Sequence, residues 1–313
     1  MTGTVLVAVG GNSLIRAGEK GTIAEQLANT RRTAEAIVQI IRLGFRVVVT
    51  HGNGPQVGAA LIRSERAADQ VYSHPLDVCD ATTQGEIGYL LQQSLQVALA
   101  QAGLTTPVAT IVTQVVVSAT DPAMERPTKP IGPFYSAREA ESKRRDLGWD
   151  IVEDTARGWR RVVPSPKPTA IVETDVIRQM AHAGYVVVAC GGGGIPVIEE
   201  DNGDLCGVEA VIDKDLASSL LARSLGADAL VLPTGVEKVA LDFNKPTQRW
   251  LDEMTLAEAK RYSAEDQFDQ GSMGPKVAAL IDFVEGGGKL GLITDPPSLP
   301  RALRGETGTR VVA

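Results

Sequence analysis

The chain has 313 residues, 43% of them hydrophobic, enough for a large core in one big domain or two lobes. With 38 acidic and 31 basic residues the formal charge is −7, which argues against a nucleic-acid binder but not against an anionic substrate, because a few lysines set the field of a cleft. Three widely spaced cysteines (Cys79, Cys190, Cys206) and only three histidines argue against a disulfide framework and leave a zinc site few ligands, so no metal site is assigned and a reducing, cytoplasmic setting is expected.

Thr4–Val9 is a β-branched run and predicts a buried strand. Apolar residues at helical spacing over Ile23–Leu43 predict a helix that stops at Gly44, and Phe45–Thr50 predicts a second strand. Pro55 suits the first turn of a helix running on from Gln56. Leu90–Ala102 reads as helix, Val108–Val117 as strand, Thr174–Ala183 as helix and Tyr185–Cys190 as strand. Asp213–Leu225, Ala229–Leu232, Lys276–Val284 and Leu290–Thr294 continue the alternation as helix, strand, helix and strand. Such alternation implies a mainly parallel sheet covered on both faces, with ligands at the carboxyl ends of its strands. Residues 120–168 break the pattern with many prolines and charges, and predict an inserted subdomain or lid. No basic leader precedes the first strand, and no apolar run is long enough to span a membrane.

Four glycine-rich turns fall at or near the ends of apolar β-like runs: Gly10-Gly11-Asn12, Gly52-Asn53-Gly54-Pro55, Gly191–Gly194 and Gly271–Lys276. Glycine lets backbone N–H groups approach a ligand closely, and N–H groups at a helix N-terminus are ready anion sites. The first turn reads as a cradle for a transferring phosphoryl group or as an ordinary tight turn. In the second, the N–H groups would hold a small oxyanion, with Asn53 adding a side-chain donor. His51 tempts as a general base, although a histidine at a strand end is more often structural. Gly191–Gly194 demands close approach by a ligand or by another chain segment, and the ligand is the favoured reading.

Asp213 is a natural helix N-cap and Asp215 suits a first helical turn. Lys214 and Lys276 do not suit the positive ends of their predicted helices unless an anion, or a carboxylate such as Asp215, stands nearby. Lys129, between prolines in the insertion, reads from the residue alone as a solvated lysine. A GxxxxGK[ST] loop, an opening GxGxxG and the HRD and DFG kinase motifs are all missing.

The ordered set Val7–Asn12, His51–Gly58, Pro75–Cys79, Pro127–Tyr135, Cys190–Val197, Val211–Ala217, Val236–Ala240 and Gly271–Val277 resembles carbamate kinase, within the amino-acid kinase superfamily. Many members of that superfamily carry a lysine two residues before the first Gly-Gly, where this chain has Ala8. The carbamate kinase pattern supplies the lysine from a protruding subdomain instead, and Lys129 fits it.

The resemblance implies a three-layer α/β/α sandwich around a mostly parallel, open sheet. It divides one amino-acid kinase domain (1–313) into an acceptor lobe over 1–212, with the protruding subdomain at 120–168, and a nucleotide lobe over 213–313. The implied partners are carbamate, carbamoyl phosphate and ATP or ADP with Mg²⁺, in a homodimer. By the same resemblance Gly10, Gly11, Asn12, Gly52, Asn53 and Gly54 surround the phosphoryl group and acceptor. Lys129, Lys214 and Lys276 neutralise phosphate charge, and Asp215 orients the lysines. The nucleotide falls to Gly191, Gly192, Asp213, Thr234, Val236, Lys238, Met273, Gly274 and Pro275. ATP formation from carbamoyl phosphate in arginine breakdown is the expected cellular direction. The alternatives are a kinase of the same fold for another small carboxylate or phosphonate, and a non-catalytic nucleotide or carbamoyl phosphate sensor.

Overall fold

The computed structural model describes residues 3–16, 18–154, 158–269 and 271–313, and of Asn12 and Asp154 only the backbone. The first half runs β1 (Thr4–Val9), α1 (Ile23–Arg42), β2 (Arg46–His51), α2 (Gly54–Arg66), α3 (Leu76–Gln101), β3 (Val108–Thr110) and β4 (Gln114–Val117). The insertion holds β5 (Lys129–Tyr135), α4 (Ala137–Leu147), β6 (Ile151–Asp154) and β7 (Gly158–Val163). Then come β8 (Pro168–Ile171), α5 (Thr174–His182), β9 (Val186–Val188), β10 (Ile195–Glu199), β11 (Leu205–Gly207) and α6 (Lys214–Leu225). The chain closes with β12 (Ala229–Pro233), β13 (Val239–Leu241), β14 (Arg249–Leu251), β15 (Glu253–Thr255), α7 (Leu256–Ala264), α8 (Met273–Glu285), β16 (Leu290–Thr294), α9 (Leu299–Leu303) and β17 (Thr309–Val312).

Eight strands form the main sheet in the order β15-β17-β16-β12-β1-β2-β9-β3. All neighbours are parallel except β16 and β17. The central strand β1 is buried on both faces, as its run of β-branched and aliphatic residues requires. Leu6 and Ala8 pack into a core with residues of α5, α6 and α8, while Val5, Val7 and Val9 pack into a second core with α1 and α3. These two cores make the three layers expected from the sequence. From β1 the chain moves one way through β2 and later returns on the other side as β12, so the carboxyl ends of β1 and β12 flank a crevice.

Two sequence expectations change. The helix read at Leu90–Ala102 is the last part of a 26-residue helix, α3, which begins at Leu76. Its first turns bury polar residues, Asp80, Thr83 and Gln84, which hide the apolar periodicity. The strand read at Val108–Val117 is two strands in two sheets. β3 ends the main sheet, and β4 joins a four-stranded sheet, β11-β10-β4-β8. Between them Gln84 behaves like a strand partner. Its Nε2 donates to the Thr113 carbonyl at 3.0 Å, and its Oε1 accepts from the Thr113 N–H at 2.8 Å.

The insertion is a folded subdomain: a three-stranded sheet, β5-β7-β6, with α4 against it. Its small core of Ala140, Trp149 and Ile151 carries two cations over one indole, since Lys143 and Arg161 each lie 4.4 Å from the Trp149 ring centre. Among the described residues no helix is long and apolar enough to cross a membrane.

Leu6 is wholly buried in the central strand. Leu6→Ala is expected to cost about 2–5 kcal/mol, read as a lower urea midpoint with an unchanged m-value.

Candidate active site

The crevice begins where β1 ends. Gly10 and Gly11 follow β1, and Pro233 and Thr234 close β12. With Lys129, Lys214, Asp215 and Lys276 these residues wall a cavity of about 230 Å³. A methyl group built on Gly52 would lie 3.3 Å from Lys214 Cδ and 3.7 Å from the Gly11 nitrogen, so the second turn meets the first beside Lys214.

At the centre is Asp215, buried in the first turn of α6. Its Oδ1 accepts from Lys214 Nζ at 2.5 Å and its Oδ2 from Lys276 Nζ at 3.0 Å. Lys214 Nζ also reaches the Ala8 carbonyl at 3.4 Å. Burial pushes the Asp215 carboxyl up, but the two lysines outweigh it and hold the group well below the usual carboxylate range. Burial also draws the Lys214 ammonium below its ordinary value against the support of Asp215. Two lysines that helix dipoles disfavour, one on α6 and one on α8, are thus held by one carboxylate from the first turn of α6.

Asp213 caps the same helix. Its Oδ1 accepts from the Asp215 N–H at 2.9 Å and its Oδ2 from Lys129 Nζ at 2.7 Å. Burial works against that carboxylate, and Lys129 brings it below its ordinary value. Lys129 therefore spans from the subdomain to the N-terminus of α6. Three ammonium groups and two carboxylates share one small cavity.

A second cavity, about 530 Å³, adjoins the first and shares Thr234 and Ser272 with it. Val236, Lys238 and Met273 line it, as expected, along with Phe243, Trp250 and Phe268, which sequence reading missed. Phe243 and Trp250 are about half exposed. The only local sign of them was a pair of aromatics in a turn-rich stretch. Lys238 is ion-paired with Asp252.

Several site expectations are corrected. Gly191 and Gly192 line neither cavity. Methyl groups built there would lie 2.3 Å from His51 Nε2 and from Asn53 Nδ2, and one on Gly193 would lie 2.4 Å from the Ile212 carbonyl oxygen. Gly192, Gly193 and Gly194 also hold φ between +71° and +99°. The protein's own segments cross there, and that crossing by itself requires bare backbone. Gly274 packs on Asp269, whose carbonyl accepts its N–H at 2.8 Å, and it lines neither cavity. Asp213 and Pro275 face the small cavity, not the large one.

Asn53 is buried and gives both amide protons away, to Asp80 Oδ1 at 2.7 Å and to Thr83 Oγ1 at 2.8 Å. Its side chain is no substrate donor; it fixes the turn. Burial raises the Asp80 carboxyl well above its usual range, and Oδ2 of that group has no partner among the described residues. Asp80, Thr83 and Gln84 form one polar row on α3, spaced i, i+3, i+4, which was the available signal for them. Gly54 opens onto free space, and the side chain of Asn12 lies outside the described residues.

A sequence model of the Amino acid kinase family matches residues 3–295. The carbamate kinase of Thermococcus kodakarensis is 50% identical over 98% of both chains. The chain belongs to the carbamate kinases of the amino acid kinase family. The carbamate kinase of Pyrococcus horikoshii is 46% identical, again over 98% of both chains. The solved carbamate kinase from Giardia lamblia bound to AMP-PNP superposes with a TM-score of 0.92 at 41% identity, covering 99% of this chain and 98% of the other. In this family member the position two residues before the first Gly-Gly, Ala8, faces the core, and the nearest ammonium is that of Lys214.

His51 is buried with Nδ1 donating to the Gly52 carbonyl at 3.2 Å. Burial pushes the imidazole down to about 4 from an ordinary 6.5. Below pH 6.5 the unfolded chain takes up a proton here that the folded chain refuses, so stability is full above that pH and falls as pH drops through about 4. The loss amounts to about 3 kcal/mol at its limit. Urea midpoints measured from pH 7 to pH 4 are expected to fall less in His51→Asn, whose amide keeps a donor toward Gly52.

Proposed function

We propose that the chain moves a phosphoryl group reversibly between ATP and carbamate, giving ADP and carbamoyl phosphate. The observation that carries this reading is the Asp215 clamp. It holds two ammonium groups at the wall of a phosphate-sized cavity, next to a larger cavity with aromatic walls suited to a nucleotide.

Phosphoryl transfer passes a loose transition state with charge spread over three equatorial oxygens, so catalysis is alignment and electrostatic stabilisation. In this reading Gly10, Gly11 and Asn53–Gly54 present backbone N–H groups to the migrating group and acceptor, with Asn12 beside them, while the Gly52 N–H is held by the Val9 carbonyl at 3.0 Å. Lys214 and Lys276 bind transferring and donor phosphate oxygens. Lys129 leaves Asp213 to meet the acceptor side. Carbamate is already an anion and needs no base, which agrees with a buried, neutral His51. The base and ribose lie along Thr234, Val236, Lys238 and Met273, and Mg²⁺ enters on the nucleotide phosphates as part of the substrate. The acceptor lobe is then 1–212 and the nucleotide lobe 213–313.

Family resemblance supports net ATP formation in arginine breakdown, and three free cysteines fit a cytoplasmic setting. Exposed Val78, Tyr89 and Val97 along α3 suit a homodimer contact.

Pure protein mixed with ADP, Mg²⁺ and carbamoyl phosphate is expected to make ATP, with acetyl phosphate a poor substitute; no ATP would end the proposal. Lys214→Ala and Lys276→Ala are each expected to lower kcat about 10²-fold or more. Asp215→Asn is expected to lower kcat as well, because its lysines lose their common anchor.

A further inference from the structure

Glycine inside a helix is unfavourable unless something needs its bare backbone. Gly58 sits one turn into α2, and a methyl group built on it would lie 1.9 Å from Gly132 Cα and 2.2 Å from the Gly132 nitrogen. Both atoms are backbone, so no side chain can swing aside. Gly132 belongs to β5, the strand that begins with Lys129, and its φ of +69° lets the strand bend at the contact. Around this point the subdomain is fastened to α2. Ile131 is buried in a cluster with Val57 and Leu61. Arg160 Nε donates to the Gly132 carbonyl at 2.9 Å, and Arg161 pairs with Glu65 at 3.6 Å.

The N-terminus of α2 is the Gly52–Gly54 turn. One helix thus carries the acceptor turn at its start and seats the lysine-bearing strand one turn later. We infer that the Gly58–Gly132 contact sets the position of Lys129 against the acceptor turn, which makes Gly58 a positioning residue for phosphoryl transfer. The inference rests on the reading of Lys129 given above. With any side chain at position 58, moving from 1.9 Å to an ordinary contact at 3.4 Å separates β5 from α2 by about 1.5 Å. Lys129 moves with the strand, and a displacement near 1 Å costs on the order of 10²-fold in such reactions.

The test is a double-mutant cycle with Gly58→Ala and Lys129→Ala, read as kinetics with carbamoyl phosphate and as ADP affinity by calorimetry. Gly58→Ala is expected to lower kcat/KM for carbamoyl phosphate by about 10²-fold with ADP affinity unchanged. The double variant is expected to be no worse than Lys129→Ala alone, a non-additivity that a general loss of stability would not produce. Gln179→Ala, at an exposed position of α5 that lines neither cavity, is the control and is expected to behave as the parent. Unchanged kinetics in Gly58→Ala, or losses that multiply in the double variant, overturn the inference. A Lys129→Ala protein with unchanged kinetics removes instead the reading of Lys129. The contact then has no lysine to position, so that result overturns the inference with the reading, whereas an unchanged Gly58→Ala beside an impaired Lys129→Ala overturns the inference alone. Should Gly58→Ala not fold, Gly132→Ala carries the same cycle, since its methyl meets Gly58 Cα at 3.6 Å but its φ strains any side chain.

Discussion

One buried carboxylate governs this site. Asp215 takes an ammonium group on each oxygen, one from its own helix and one from α8. Without it, two lysines would stand unpaired at the positive ends of two helices, and burial would pull the Lys214 ammonium further below its ordinary value. With it, both ammonium groups are paired and aimed, and three ammonium groups against two carboxylates leave the cavity a surplus of basic side chains. The clamp also ties α6 to α8, two helices that pack on one face of the main sheet.

The first part of the chain is organised by backbone proximity. Glycines at 58 and 191–194 let segments approach more closely than any side chain allows. Around them α3 acts as a polar rail. Asp80 and Thr83 consume the Asn53 amide, and Gln84 ties Thr113 to the Gly191 carbonyl. These bonds use both amide protons of the Asn53 side chain and fix the turn that carries it. The two halves meet through Lys129, which leaves the subdomain to reach the helix cap Asp213.

Much of this was legible in the residues. Strands at Thr4–Val9 and Leu290–Thr294 and the helix at Ile23 followed from periodicity, because those segments bury one consistent face or both. The lysines at 214 and 276 stood out because a cation at a helix N-terminus needs a reason. Other features were not legible. Gln84 breaks a strand through two hydrogen bonds to a residue 29 positions away. Phe243 and Trp250 come to a common cavity only because a hairpin folds over the end of the sheet. The local signs, a polar row on α3 and two aromatics in a turn-rich stretch, do not say which distant partner each one meets.

The glycine runs mark the boundary most clearly. Sequence alone determined that positions 191–194 need bare backbone, since four successive glycines carry an entropic cost that local structure does not offset. It also determined the alternating α/β order and the lysines that seek an anion. Tertiary structure alone decided what crosses at each glycine: His51, Asn53 and Ile212 at one run, a second glycine at position 58. The physical reason is that conformational freedom is a property of one residue, whereas steric closeness is a property of two, and the second residue is chosen only when the chain has folded.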